Sequence, residues 1–222
     1  MKLFVVEANT IKLDGGSLFG NAPKTLWQKW MVSDEWNRIQ LACQTLLVRE
    51  ENGRHVLFEA GVGPFFEPKI RERFGIEAEH KLLVNLRAIG ISESDIDAVV
   101  LSHLHFDHAG GLLAAFDEGP LRLLFPKAKY YLSTSHWNYA RNPHLRERAS
   151  FIPALNSLLE SSGRLVLIDS EKHVDLNFFR FVISNGHTIG LLMSELDLPI
   201  GPLVYTSDVI PGIPWLHLPI SM

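Results

Sequence analysis

The sequence has a single cysteine, Cys43, among 222 residues. No intramolecular disulfide can form and no thiolate cluster can hold a metal, so any bound ion must sit on imidazole and carboxylate. A long apolar run is also missing: no stretch approaches the roughly 18 consecutive apolar residues that a membrane-spanning helix needs. The opening Met1-Lys2-Leu3-Phe4-Val5-Val6 meets Glu7 too soon to form the core of a secretory signal, and a cytoplasmic location is the expectation. Nor is either charge in excess. With 21 Lys and Arg against 25 Asp and Glu, the formal charge is −4 without long single-sign runs, which argues against nucleic acid or an anionic membrane as partner. No repeat, linker or low-complexity segment interrupts the chain, so residues 1–222 are expected to form one domain.

What is present is an ordinary globular composition, 46% hydrophobic and 21% charged, arranged as alternating strand-like and helix-like segments. β-favouring runs predict strands at 3–8, 41–49, 55–59, 98–101, 129–133, 165–168, 178–184, 193–196 and 203–206. Helical spacing predicts helices over 69–74, 80–89, 109–116, 135–141 and 152–161. Glu50-Glu51-Asn52-Gly53-Arg54 reads as a tight turn joining two strands. Such a mixture suits a layered α/β architecture, with sheets in the middle and helices outside. Segment 13–30 combines glycines, a proline and large aromatics and predicts a loop with apolar teeth. Leu18, Phe19, Trp27 and Trp30 in it either form a pocket wall, with Phe19 and Trp27 as the substrate-binding pair, or close the core. Ala60-Gly61-Val62-Gly63 would let the backbone pass close to a neighbour.

The densest chemistry lies in Ser102-His103-Leu104-His105-Phe106-Asp107-His108, directly after the predicted strand 98–101. In an extended segment alternate side chains share a face, which puts His103, His105 and Asp107 together and turns Leu104 and Phe106 into the packing. A turn at Ala109-Gly110-Gly111 would swing His108 round with Asp107, so that one short segment could serve two metals. Imidazole and carboxylate suit zinc, iron or manganese. Cys43, in the strand-like LACQTLLV, reads as a small hydrophobe rather than a nucleophile, because no basic residue adjoins it.

The segment SHLHFDHAGG resembles the HxHxDH signature of the metallo-β-lactamase superfamily. Two later segments fit the same resemblance: Gly186-His187-Thr188-Ile189-Gly190, and the aspartate of Tyr205-Thr206-Ser207-Asp208. The resemblance implies an αββα sandwich with two zinc ions (iron or manganese as alternatives) at one edge of the sheets. It implies that His103, His105 and His187 hold one ion, that Asp107 and His108 hold the other, and that Asp208 bridges them. A further histidine on the second ion is usual, and His217 is the candidate. Relatives usually continue with another helix or strand, so either the chain is shortened here or a C-terminal element is absent.

The lead-in Asp95-Ile96-Asp97 and the Phe58-Glu59-Ala60-Gly61-Val62-Gly63 segment point to the lactonase-like branch, although Glu59 and Ala60 depart from its Asp-Thr-Gly-x-Gly. The implied activity is attack of a metal-bound hydroxide on a lactone or ester carbonyl, with Asp107 as the catalytic proton carrier. The partner is a small-molecule substrate, and a homodimer is compatible with the sequence. Two other readings use the same residues: a mononuclear-iron persulfide dioxygenase on His103, His187 and Asp208, and a thioesterase of the glyoxalase II kind.

Overall fold

The computed structural model describes residues 1–217 and 220. β1 (Lys2–Asp14) pairs antiparallel with β2 (Arg38–Arg49), which turns back into β3 (His55–Phe58) so that Arg49 faces His55 across the expected hairpin. β1 outruns the strand predicted at 3–8: the register shifts between Glu7 and Thr10, and pairing then continues to Asp14. Asp14 ends it by capping α1 (Gly15–Phe19), accepting the Ser17 N–H at 2.8 Å. With α2 (Lys24–Trp27) following, the predicted loop 13–30 contains two short helices.

From β3 the chain passes through α3 (Pro68–Phe74) and α4 (Lys81–Ala88) to β4 (Ala98–Val100), and through the single turn of α5 (Phe106–Ala109) to β5 (Lys129–Ser133). Then α6 (Thr134–Ala140) and α7 (Pro153–Ser161) lead to β6 (Leu165–Ile168). Strands β3 to β6 run parallel, as these crossovers require. They complete a six-stranded sheet in the order β1-β2-β3-β4-β5-β6. The strands β7 (Phe179–Ser184), β8 (Leu191–Leu198) and β9 (Gly201–Tyr205) form a separate antiparallel sheet.

Period-two alternation in the central strands builds two apolar layers. Val56, Phe58, Ala98, Val100 and Tyr131 pack with Phe179, Phe181, Leu192 and Leu196 of the smaller sheet. Leu57, Val99, Tyr130 and Leu132 pack instead with Leu82 and Leu86 of α4 and Leu155 and Leu159 of α7. Both faces of these strands are thus covered, which is why they read as continuous apolar runs. The result is the layered α/β sandwich expected from the alternation. Among the described residues no helix is long and apolar enough to cross a membrane.

The helix predicted at 109–116 does not form. After α5 the chain makes a 3₁₀ turn over Gly110–Leu112, and Leu113 then bridges Leu123 in extended form. The cause is close approach of two backbones. A Cβ on Gly111 would lie 1.9 Å from the Ala60 carbonyl oxygen, and one on Gly63 2.7 Å from Gly111 Cα, so a helix has no room. Instead Gly111 N–H donates to Gly61 O at 2.8 Å and Ala60 N–H to His108 O at 2.9 Å, tying the histidine-rich turn to the end of β3.

Candidate metal centre

The buried end of β4 delivers Ser102 and His103, and the backbone stays extended only as far as His105, at ψ 150°. Asp107 and His108 come from the turn of α5 rather than from a continued strand, so the two halves of the motif diverge. His187 joins from the β7–β8 loop in a left-handed conformation, φ 61°. Its Nε2 faces His105 Nδ1 at 3.0 Å, and its ring lies 5.0 Å from that of His103. Asp208 comes from the 3₁₀ turn Ser207–Val209 after β9. Its Oδ1 is 3.2 Å from His108 Nε2 and its Oδ2 is 3.5 Å from His187 Nε2, so one carboxylate faces both clusters. Asp107 Oδ2 stands 3.7 Å from His108 Nε2.

Two donor groups result, each with its donor atoms within 4.8 Å of one another: His103, His105 and His187, and then His103, His108 and Asp208. Burial, reinforced by the neighbouring imidazoles, presses His103 well below the usual histidine range and takes His105 down to about 2. These rings are neutral, with lone pairs available. At His108 burial opposes the charge, but Asp208 and Asp107 outweigh it and raise the imidazole well above its ordinary value. Burial likewise works against ionising Asp208, yet His108 beside it brings the carboxyl down to about 2.

His103 tests whether the residues fit a cation. Ser102 Oγ donates to Ser207 Oγ at 2.8 Å and so accepts from His103 Nδ1 at 2.8 Å. That leaves the lone pair on Nε2, which is buried without a hydrogen-bond partner. An unmet buried acceptor costs about 1–3 kcal/mol, and a divalent ion held by the three imidazoles removes that cost. The donor set fits the metal.

A model of the metallo-beta-lactamase superfamily matches residues 38–220. The chain belongs to the metallo-β-lactamase superfamily. It is 30% identical over 118 residues to the N-acyl homoserine lactonase AiiB of Agrobacterium fabrum, a match covering 49% of this chain and 42% of that protein. The chain thus spans less than half the length of that relative. A solved probable metal-dependent hydrolase from Staphylococcus aureus superposes with TM-score 0.82 at 24% identity, over 94% of this chain and 73% of the other. AidC, a dizinc quorum-quenching lactonase solved with the product N-hexanoyl-L-homoserine, superposes with TM-score 0.71 at 24% identity, over 94% and 71%. Both structures share the superfamily fold.

Within this superfamily scaffold, carboxylates stand behind the candidate ligand histidines. Glu59, 2% exposed, accepts the Ser102 N–H at 2.7 Å with Oε1 and turns Oε2 to His108 Nδ1 at 3.5 Å. Glu147 accepts from Thr188 Oγ1 at 2.8 Å and faces His105 Nε2 at 3.9 Å with the same oxygen. Such partners fix the orientation and basicity of ligating imidazoles. Glu59 stood out in the sequence only as a departure from the motif. Glu147 gave no signal at all, lying in a polar, arginine-rich stretch.

Asp107, His108 and Asp208 line a cavity of about 730 Å³ whose apolar wall includes Leu18, Trp30, Met31, Leu41 and Ile210. Phe19 and Trp27 are not part of that wall. Each is 1% exposed, and Phe19 stacks on Trp27 at 5.3 Å and on Trp215 at 4.5 Å, forming a small core behind it. Neighbouring positions divide the labour, with Leu18 and Trp30 facing the cavity. His217, expected on the second ion, does not join either donor group. Trp215 is anchored on Phe19 and through its Nε1–H to Leu18 O, which leaves His217 exposed and stacked on Trp30 at 5.6 Å. Cys43 lines the same cavity; burial pushes its thiol up to about 12, which rules out a thiolate nucleophile at neutral pH.

Proposed function

We propose that this superfamily member is a divalent-metal hydrolase that opens lactones or cleaves related esters of small molecules. The observation that carries the proposal is Asp208, which faces both donor groups from the floor of an apolar-walled cavity. In the proposal His103, His105 and His187 would hold one zinc, Asp107 and His108 would hold the other, and Asp208 would serve both. The chemistry a divalent metal would supply there is a water of lowered pKa, towards about 7, and compensation of charge on a carbonyl oxygen. The protein's own part is positioning and proton transfer. The Asp107 carboxylate, a ligand with a spare oxygen beside His108, would accept the proton released by the attacking water and return it to the departing alcohol oxygen.

The cavity wall supports an acyl group as the part of the substrate that is recognised. Leu18, Trp30, Met31 and Leu41 offer apolar surface, and each methylene buried there contributes about 0.8 kcal/mol. The AiiB match and the product seen with AidC favour an acyl lactone within this class. A cytoplasmic setting is part of the proposal: Cys43 has no partner for a disulfide, which suits a reducing compartment.

The test is elemental analysis of protein purified without added metal, followed by a panel of acyl lactones, aryl esters and thioesters. About two zinc ions per chain with chelator-sensitive lactone or ester hydrolysis is the expected result. One iron per chain with sulfur-dependent oxygen uptake would overturn it in favour of a persulfide dioxygenase.

A further inference from the structure

His136 lies on α6, is 0% exposed, and belongs to neither donor group. Both of its ring nitrogens are engaged. Nε2 accepts the Leu104 N–H at 2.9 Å, and Nδ1 meets the Ile189 carbonyl oxygen at 2.8 Å. A backbone N–H can only donate and a carbonyl can only accept, so the proton sits on Nδ1 and the ring is neutral. No lone pair is left over for a metal.

The two backbone groups held by this ring identify its task. Leu104 lies between His103 and His105, and Ile189 lies two residues after His187. The three imidazoles of the first group therefore come from two chain segments, one ending a strand of the large sheet and the other joining two strands of the small sheet. The His136 ring is a rigid bridge between them. Its own backbone is locked to the second segment: Ser133 Oγ donates to Gly190 O, and a Cβ on Gly190 would stand 2.3 Å from His136 N. Phe151 stacks on the His136 ring at 5.8 Å and meets the His105 ring edge-on at 4.8 Å, closing the third side.

We infer that His136 is a positioning residue, a clamp that sets the separation of His187 from His103 and His105 without touching the ion. The inference rests on the metal reading of those three histidines. It separates two roles that one substitution would otherwise blur, since glutamine retains an acceptor near the Nε2 position for Leu104, asparagine retains a donor near Nδ1 for Ile189, and phenylalanine retains the ring and neither bond.

The experiment measures first-ion affinity by chelator competition, and the cobalt(II) absorption spectrum, for wild type, His136→Gln, His136→Asn and His136→Phe. Circular dichroism of the metal-free proteins reports folding, and Leu155→Ala serves as a control for lost core packing. Outer partners of ligating histidines typically change affinity by about 10–100-fold, so His136→Phe is expected to lose that much, with an altered cobalt spectrum. His136→Gln and His136→Asn should fall between, and Leu155→Ala should melt earlier with an unchanged spectrum and affinity. A folded His136→Phe that binds its first ion like wild type would overturn the inference. Should that variant not fold, wild-type affinity in both the Gln and Asn variants would overturn it equally, as would an equal loss in Leu155→Ala. A wild-type protein that takes up no divalent ion would overturn the metal reading itself.

Discussion

The two donor groups share His103 but differ in kind. The first consists of three neutral imidazoles, buried or nearly so, with the outer nitrogens of His103 and His105 turned to Ser102 and Glu147. The second pairs a raised His108 with the Asp208 carboxylate, has Asp107 alongside, and forms the floor of the cavity. Neutral ligands leave an ion's charge intact and anchor it, whereas carboxylates soften that charge and can carry protons. Under the proposed function, the first group would retain the metal and the second would transfer protons, and each of the following experiments can break or sharpen that division.

Removing the metal should have the largest effect. Dialysis against a strong chelator is expected to abolish lactone and ester turnover and to lower Tm, since an ion present at 100 times its Kd contributes about 2.7 kcal/mol to folding. Unchanged Tm and turnover after verified metal loss would contradict the account. Asp107→Ala should come next: turnover falls by about 10²–10⁴-fold while circular dichroism and the tighter metal equivalent remain. Full turnover in that variant would remove Asp107 from its proton-carrying role.

The supporting carboxylates allow a finer comparison. Glu59→Gln keeps an acceptor for the Ser102 N–H but removes the charge facing His108 Nδ1, and should weaken the second ion by about 10–100-fold. Glu147→Gln should weaken the first ion instead. Chelator competition reads both, and identical effects on the two ions would dissolve the distinction. The smallest change in catalysis is expected from the wall: Trp30→Ala should raise KM for long acyl chains by about tenfold, since even one methylene in an apolar pocket is worth about 1–3 kcal/mol. Phe19→Ala should instead lower stability by about 3–5 kcal/mol and leave the folded protein's KM unchanged.

Legibility in the sequence followed how local each signal is. His103 to His108 could be read because six adjacent residues carry the chemistry, and His187 and Asp208 because each has a short recognisable setting. Phe19 and Trp27 could not be told from Leu18 and Trp30, because segment 13–30 has no periodicity to show which side chains face inward. His217 is expected on the second ion only from the resemblance, and the anchoring of Trp215 leaves it stacked on Trp30 instead. The central strands were legible as continuous apolar runs, such as Ala98 to Leu101, because both of their faces are buried. The false helix at 109–116 had the right apolar spacing, but the contact of Gly111 with Ala60 spans fifty-one positions and leaves no local trace. Glu147 and His136 were unreadable for the same reason: their partners lie across the fold.

The central claim is that one carboxylate joins two unequal metal positions. Calorimetric titration of metal-free protein with zinc, for wild type and Asp208→Asn, tests it most directly. The account predicts two binding events of different affinity in wild type, totalling about two ions per chain, and loss of the weaker event with weakening of the tighter one in the variant. A single event, or two events untouched by the substitution, would contradict it.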